Sequence, residues 1–174
     1  MRYRRAALAD AAAIASVETI TWDATYRGLI PDSVIEHRTL EHRTGVWTAV
    51  LSQSSGNQLT VFVVEDAPGK VVGFCDGGRP EYPYPGYDVE IIGLYVLPDF
   101  QHQGCGTELF QRVAADLRKS GGHSLIVWVL HNSKYRRFYE RRGGRYLCDR
   151  TVDFGKPLVV SGYGWPDMNA IAAS

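Results

Sequence analysis

Residues 91–107 read Ile-Ile-Gly-Leu-Tyr-Val-Leu-Pro-Asp-Phe-Gln-His-Gln-Gly-Cys-Gly-Thr. An apolar strand ends, a short loop with two glycines follows, and an amphipathic helix begins. Gly104 and Gly106 have no Cβ, so the backbone there turns tightly and a ligand can come close. The first N–H groups of the following helix lack intrahelical partners and carry the positive end of its dipole. The segment therefore reads as an anion cradle, of the kind that holds a phosphate or pyrophosphate.

Two familiar phosphate loops do not fit. A P-loop needs Gly-Lys-Ser/Thr, and here Gly106 is followed by Thr107 and Glu108. The dinucleotide fingerprint needs a third glycine, which is missing. The pattern that fits is Gln/Arg-x-x-Gly-x-Gly/Ala, filled by Gln101, Gly104 and Gly106.

Working outward, the chain becomes a mixed α/β sheet. The helix after the loop places Leu109, Phe110, Val113 and Leu117 on one face and stops at Gly121-Gly122. Ser124–Leu130 is an apolar strand. A helix capped by Asn132 or Ser133 is expected to run to Arg142. Arg145–Asp153 and Leu158–Trp165 form a hairpin around Gly155. On the other side, Val89–Leu97 is nearly continuous in apolar residues, as in a strand covered on both faces. Leu59–Glu65 and Lys70–Asp76 are strands joined by the turn Ala67-Pro68-Gly69. Tyr3–Ala7 is a first strand. Asp10 is a candidate N-cap for a helix carrying Ile14, Val17 and Ile20 on one face. Ser33–His37 is a short helix, and a longer one bears Leu40, Trp47 and Leu51, with Gly56 beyond its end. One strand–helix–strand unit implies one parallel crossover.

The 174 residues suit a single domain spanning 1–174. Formal net charge is zero, which gives no global field for nucleic acid and no polybasic arm. No apolar run approaches membrane-spanning length. Cys75, Cys105 and Cys148 form an odd set without metal spacing, and read as reduced thiols of a cytoplasmic protein. His37 and His42 fall off one helix face, so no metal is expected.

The ordered set from Val89 to Gly144 resembles the GNAT superfamily of N-acetyltransferases. It comprises the strand Ile91–Pro98, the loop Gln101–Thr107, Asn132, then Tyr139 in Phe138-Tyr139-Glu140, and Gly143-Gly144. The segment Tyr26–Asp32 is similar to a stretch seen in many bacterial members. The resemblance implies the GNAT fold: a central, mostly antiparallel six- to seven-stranded sheet with a splayed parallel pair and flanking helices. It implies acetyl-CoA as cosubstrate. The pantetheine arm would pair with backbone at Leu94, Tyr95 and Val96. The pyrophosphate would lie on His102, Gln103, Gly104, Cys105, Gly106 and Thr107, and Asn132 would contact the pantetheine. Tyr139 matches the family tyrosine that protonates the CoA sulfur. Glu90 stands where several members carry a general base, whereas the alternative position on the next strand is Val127 and cannot serve.

The acceptor is expected to be the primary amine of a small molecule, or less favourably of a protein, attacking directly in a ternary complex. The Trp22–Asp32 segment, the Arg79–Asp88 loop and the last hairpin would form its site. Trp22, Tyr26, Tyr82 and Tyr84 are candidate walls, with Tyr87 beside them. Asp76, Glu81 and Asp88 are candidate attractors of a cation. Loop aromatics also serve as packing or as homodimer contacts. Arg136, Arg137, Arg141, Arg142 and Arg145 read as a solvated helix face from which one residue could meet the CoA 3′-phosphate. The rival reading is a catalytically silent acyl-CoA-binding regulatory module; a third is a nucleotide-phosphate enzyme using the same loop.

Overall fold

The computed structural model describes residues 1–53 and 59–171. In chain order the elements are β1 (Arg2–Arg5), α1 (Ala11–Tyr26), α2 (Asp32–Glu36), α3 (Leu40–Gln53), β2 (Thr60–Ala67), β3 (Lys70–Gly78), β4 (Val89–Val96), α4 (Cys105–Lys119), β5 (Leu125–Leu130), α5 (Arg136–Glu140), β6 (Arg145–Asp153) and β7 (Pro157–Trp165). The strands make one seven-stranded sheet in the order β1-β2-β3-β4-β5-β7-β6. Every pairing is antiparallel except β4 with β5, which the α4 crossover makes parallel. The expected mixed sheet and its parallel crossover are both present.

Helices cover both faces. On one, Leu109, Phe110, Val113 and Leu117 of α4 pack on Cys75, Ile91, Val127 and Tyr163. Each such burial is worth about 1.5–3 kcal/mol before chain entropy is subtracted. On the other, Ile14 and Val17 of α1 and Trp47 and Leu51 of α3 pack on Val61, Val63 and Phe74.

Three local readings need correction. Asp10 does not cap α1: its carboxylate accepts the Ala7 N–H (2.7 Å) and pairs with Arg4 (2.6 and 2.8 Å). A local N–H and a guanidinium outcompete the first-turn amides. Ile20 is exposed. Six residues beyond Ile14, it falls on the far side of the helix, and the buried stripe continues instead through Glu18, Thr21 and Trp22. The helix after β5 is shorter than expected. Ser133 Oγ accepts the Tyr135 N–H (3.1 Å), a tight turn forms first, and α5 begins only at Arg136. The Gly56 reading lies outside the described residues.

The site is positioned by a fault in the sheet. β4 and β5 pair over Val89–Leu125, Glu90–Ile126 and Ile91–Val127 and then part. On the β3 side, Gly77 pairs with Ile91 but Asp76 pairs with Gly93, so Ile92 is an extra residue. That bulge bends β4 where it leaves β5.

Candidate active site

Beyond the bulge, the Leu97 N–H donates to Val72 O at 2.9 Å. By antiparallel alternation Tyr95 and Gly93 also turn their amides toward β3. Leu94 and Val96 therefore direct N–H and C=O groups into the gap that β5 has vacated. Gln101 Nε2 donates to the Val96 carbonyl (2.9 Å), tying the glycine loop to the strand end. By this alternation the Leu94 and Val96 amides have no strand partner among the described residues, and backbone donors require partners.

The gap opens into a cleft of about 790 Å³. Its walls include Ile92–Val96 of β4, Trp128–Leu130 of β5, His102, Gly104, Gly106 and Thr107 of the loop, and Tyr139 of α5. The loop bends as an anion cradle requires. Gly104 is the N-cap of α4 at φ +85°, and His102 is also left-handed at φ +60°. A Cβ on Gly104 would meet nothing within 4 Å, so the backbone there faces open space. Arg137, Arg141 and Arg142 line the same end, and Arg142 donates to Thr107 Oγ1. A glycine-lined helix N-terminus ringed by guanidinium groups fits a diphosphate, and the free strand amides fit an amide-bearing arm.

The other loop residues divide. Cys105 is buried and faces Tyr3, not the cleft. Gln103 is exposed and donates to Asp99 O. Asn132 stands in the turn after β5, next to the cleft's Ser133 but outside the cleft wall.

Tyr139 is buried among Phe138, Phe110 and Tyr163 and borders the cleft. Burial holds its phenol well above the usual tyrosine range, so it stays a neutral O–H donor. Glu90 is also buried. Its carboxylate accepts the amides of Glu81 (2.9 Å) and Tyr82 (3.3 Å) and so pins the β3–β4 loop. Burial pushes it up to about 7, against the pull of the Tyr82 and Glu81 amides and, more weakly, of Arg150. Glu90 does not itself border the cleft.

Asp76 is buried on β3 against Gly93 of β4. Among the described residues it forms no ion pair, and the charges of Glu18, Glu81 and Glu90 act on it. Burial first, then those like charges, raise it well above an ordinary carboxylate.

Of the expected acceptor walls, Tyr26 borders the cleft. Trp22 is a core residue behind it, stacked on Tyr26 at 4.3 Å and donating to the Tyr95 hydroxyl at 3.1 Å. Tyr82 and Tyr84 stand further out, beside Arg150 and Trp128. Asp88 is occupied with the amides of His123 and Ser124. Sequence reasoning missed Trp128 and Arg150. Trp128 sits in an apolar run, where only strand alternation from Val127 places it on the acceptor face. Among the described residues there is no His/Cys/Asp/Glu group able to hold a metal ion, and no helix long and apolar enough to cross a membrane.

The family model for the acetyltransferase (GNAT) family matches residues 15–144, from within α1 to the residue before β6. The chain belongs to that family and is an acyltransferase. It is 30% identical over 169 residues to YuaI of Bacillus subtilis, an uncharacterized N-acetyltransferase, covering 97% of this chain and 94% of that protein. Among solved structures it resembles YncA of Salmonella typhimurium with its cofactor acetyl-CoA, at 24% identity and TM-score 0.71, covering 100% and 97% of the two chains. It also resembles the PaiA N-acetyltransferase of Thermoplasma acidophilum in complex with coenzyme A, at 19% identity and TM-score 0.69, covering 92% and 96%. At these identities the structural likeness speaks for the fold.

Proposed function

We propose that the protein transfers the acetyl group of acetyl-CoA to the primary amine of a small molecule, by direct attack within a ternary complex. The observation that carries this is the early parting of β4 from β5. It leaves the Leu94 and Val96 amides free beside a glycine cradle, in one continuous cleft. The complexes of YncA and PaiA support acetyl-CoA as the occupant.

The roles follow from the groups present. The Leu94 and Val96 amides align the pantetheine arm, and one of them polarises the thioester carbonyl as a single oxyanion donor. Residues 102–107 with Arg137, Arg141 and Arg142 hold the phosphates. Glu90, partly ionised near neutrality, accepts the proton of the incoming ammonium, through a relay because it lies behind the cleft wall. The amine nitrogen then forms its bond to the carbonyl carbon as the carbon–sulfur bond breaks. The Tyr139 O–H supplies a proton to the departing thiolate, and the second proton shed by the acetylated nitrogen passes through water to restore the Tyr139 hydroxyl.

Thiol release from acetyl-CoA, measured against a panel of amines with mass detection of the acetylated product, tests this reading. Amine-dependent release is expected. Tyr139→Phe is expected to lower kcat about tenfold or more while leaving the KM for acetyl-CoA unchanged. Tight coenzyme binding without turnover of any amine would replace the enzyme reading with that of a silent binding module. An absence of calorimetric heat on adding acetyl-CoA would remove both.

A further inference from the structure

On the acceptor side of the cleft, two buried donors have no partner among the described residues. Trp128 borders the cleft, yet its indole Nε1 is buried without a hydrogen-bond acceptor. Arg150 lies over the Trp128 ring at 4.7 Å and beside Tyr82 at 5.6 Å. Its Nη1 is likewise buried and unpaired, and among the described residues it forms no ion pair. A buried guanidinium nitrogen without an acceptor carries a full desolvation cost. The planar fork of arginine is suited to a carboxylate.

This pair adjoins the carboxylates. The Tyr82 amide holds Glu90 while the Tyr82 ring flanks Arg150, so Glu90, Tyr82, Arg150 and Trp128 are contiguous. Asp76, buried and without a cation, lies on the same face against Gly93. Behind the cleft wall thus stands Glu90, partly ionised near neutrality and suited to the proton of an ammonium, and beside it are unsatisfied donors that suit an anion.

Resting on the acetyltransferase reading above, we infer that the acceptor is zwitterionic: a free α-amino acid whose ammonium passes its proton to Glu90 through the relay and whose carboxylate is bound by Arg150 and the Trp128 N–H. The carboxylate completes the donors the protein leaves open. A plain amine would leave them unpaired, and a site built to pair a group discriminates against analogues that lack it.

The test sets the standard α-amino acids against amines lacking only the carboxylate, such as leucine against 3-methylbutylamine. Two readouts are taken: thiol release from acetyl-CoA, and thermal protection of the full chain with coenzyme A present. At least one amino acid is expected to exceed its decarboxylated partner tenfold or more in kcat/KM and to protect where the partner does not. Arg150→Gln should abolish that preference. Trp128→Phe, which keeps the ring and removes the N–H, should reduce it while the KM for acetyl-CoA holds. Decarboxylated amines that react and protect as well as the amino acids would overturn the inference and leave the transferase reading standing. So would an Arg150→Gln variant that slows both series equally, since Arg150 would then serve only Glu90. Protection by amino acids without thiol release from any acceptor would remove the transferase reading and keep the carboxylate site.

Discussion

The carboxylate of Asp76 occupies the space that a side chain on Gly93 would need. A Cβ built at Gly93 would overlap Asp76 Oδ1 and press on the Tyr95 ring. Gly93 is also the residue at which β4 leaves its bulge, so one glycine both permits the bend and seats a buried carboxylate on the acceptor side.

Gly93→Ala should therefore cost about 1–3 kcal/mol through overpacking. For a chain of this size that lowers Tm by roughly 2–12 °C. Because the clash is with Asp76, the double variant Gly93→Ala/Asp76→Ala should lose less than the sum of the two single changes. Scanning calorimetry on the four proteins checks this, and strict additivity would refute the contact as the cause.

Glu90 makes a prediction about pH. Burial raises its carboxyl from 4.5 to about 7, so the folded protein holds a proton that the unfolded chain releases. The associated stability is fully present below pH 4.5 and is lost as pH rises through 7, amounting to roughly 3 kcal/mol. Glu90→Gln removes the proton linkage and should flatten that part of the stability profile. If Glu90 is the base, kcat/KM for the amine should rise with pH to a plateau above 7. The Gln variant should then be slower by roughly a hundredfold or more. Chemical denaturation and initial rates across pH 5–9 separate the two effects.

Much of this site was legible in the chain. The strand–loop–helix around residues 91–107 announced itself because glycine punctuation and apolar periodicity are local signals. The order of motifs from Val89 to Gly144 then carried the family resemblance. The acceptor side was not legible, for physical reasons. Asp76 meets Gly93 across two strands, and Arg150 meets Trp128 across the β6–β7–β5 part of the sheet. Those contacts depend on register and bulges, which single-residue patterns do not encode. Trp22 illustrates the converse. An aromatic beside a turn looked like a binding wall, but its indole N–H is consumed by Tyr95 and its face is covered by Arg38 at 3.6 Å.

Gly104 separates stability from binding. Its φ of +85° is one that a residue with a Cβ adopts at a cost of about 1–2 kcal/mol, while the space around that Cβ is empty. Gly104→Ala should accordingly fold, with Tm lower by roughly 2–8 °C. The new methyl would project into the space assigned to the phosphates. The KM for acetyl-CoA should rise about tenfold or more, while kcat at saturation changes little. An unaltered KM would mean that the diphosphate does not lie on this turn.

The last prediction concerns the scaffold that carries the acceptor wall. Glu18 is buried in α1, yet it is saturated with donors: Arg38 at 2.6 Å, Arg43 at 2.8 and 2.9 Å, and the Trp47 indole at 2.7 Å. Through Arg38, which also covers Trp22, it joins α1 to the chain after α2, and through Arg43 and Trp47 to α3. Removing one member of such a network strands the others, at about 3–5 kcal/mol. Glu18→Ala should therefore lower Tm by roughly 6–20 °C. Glu18→Gln keeps one acceptor oxygen but loses the charge that two guanidiniums require, and should fall between the Ala variant and the parent. Because Trp22 and Tyr26 lean on this network, the KM for the amine should rise in Glu18→Gln at temperatures where the variant remains folded. The KM for acetyl-CoA should hold, since the glycine cradle lies on the opposite face of the sheet fault. A parallel rise in both constants would show that α1 supports the coenzyme cleft as well as the acceptor wall.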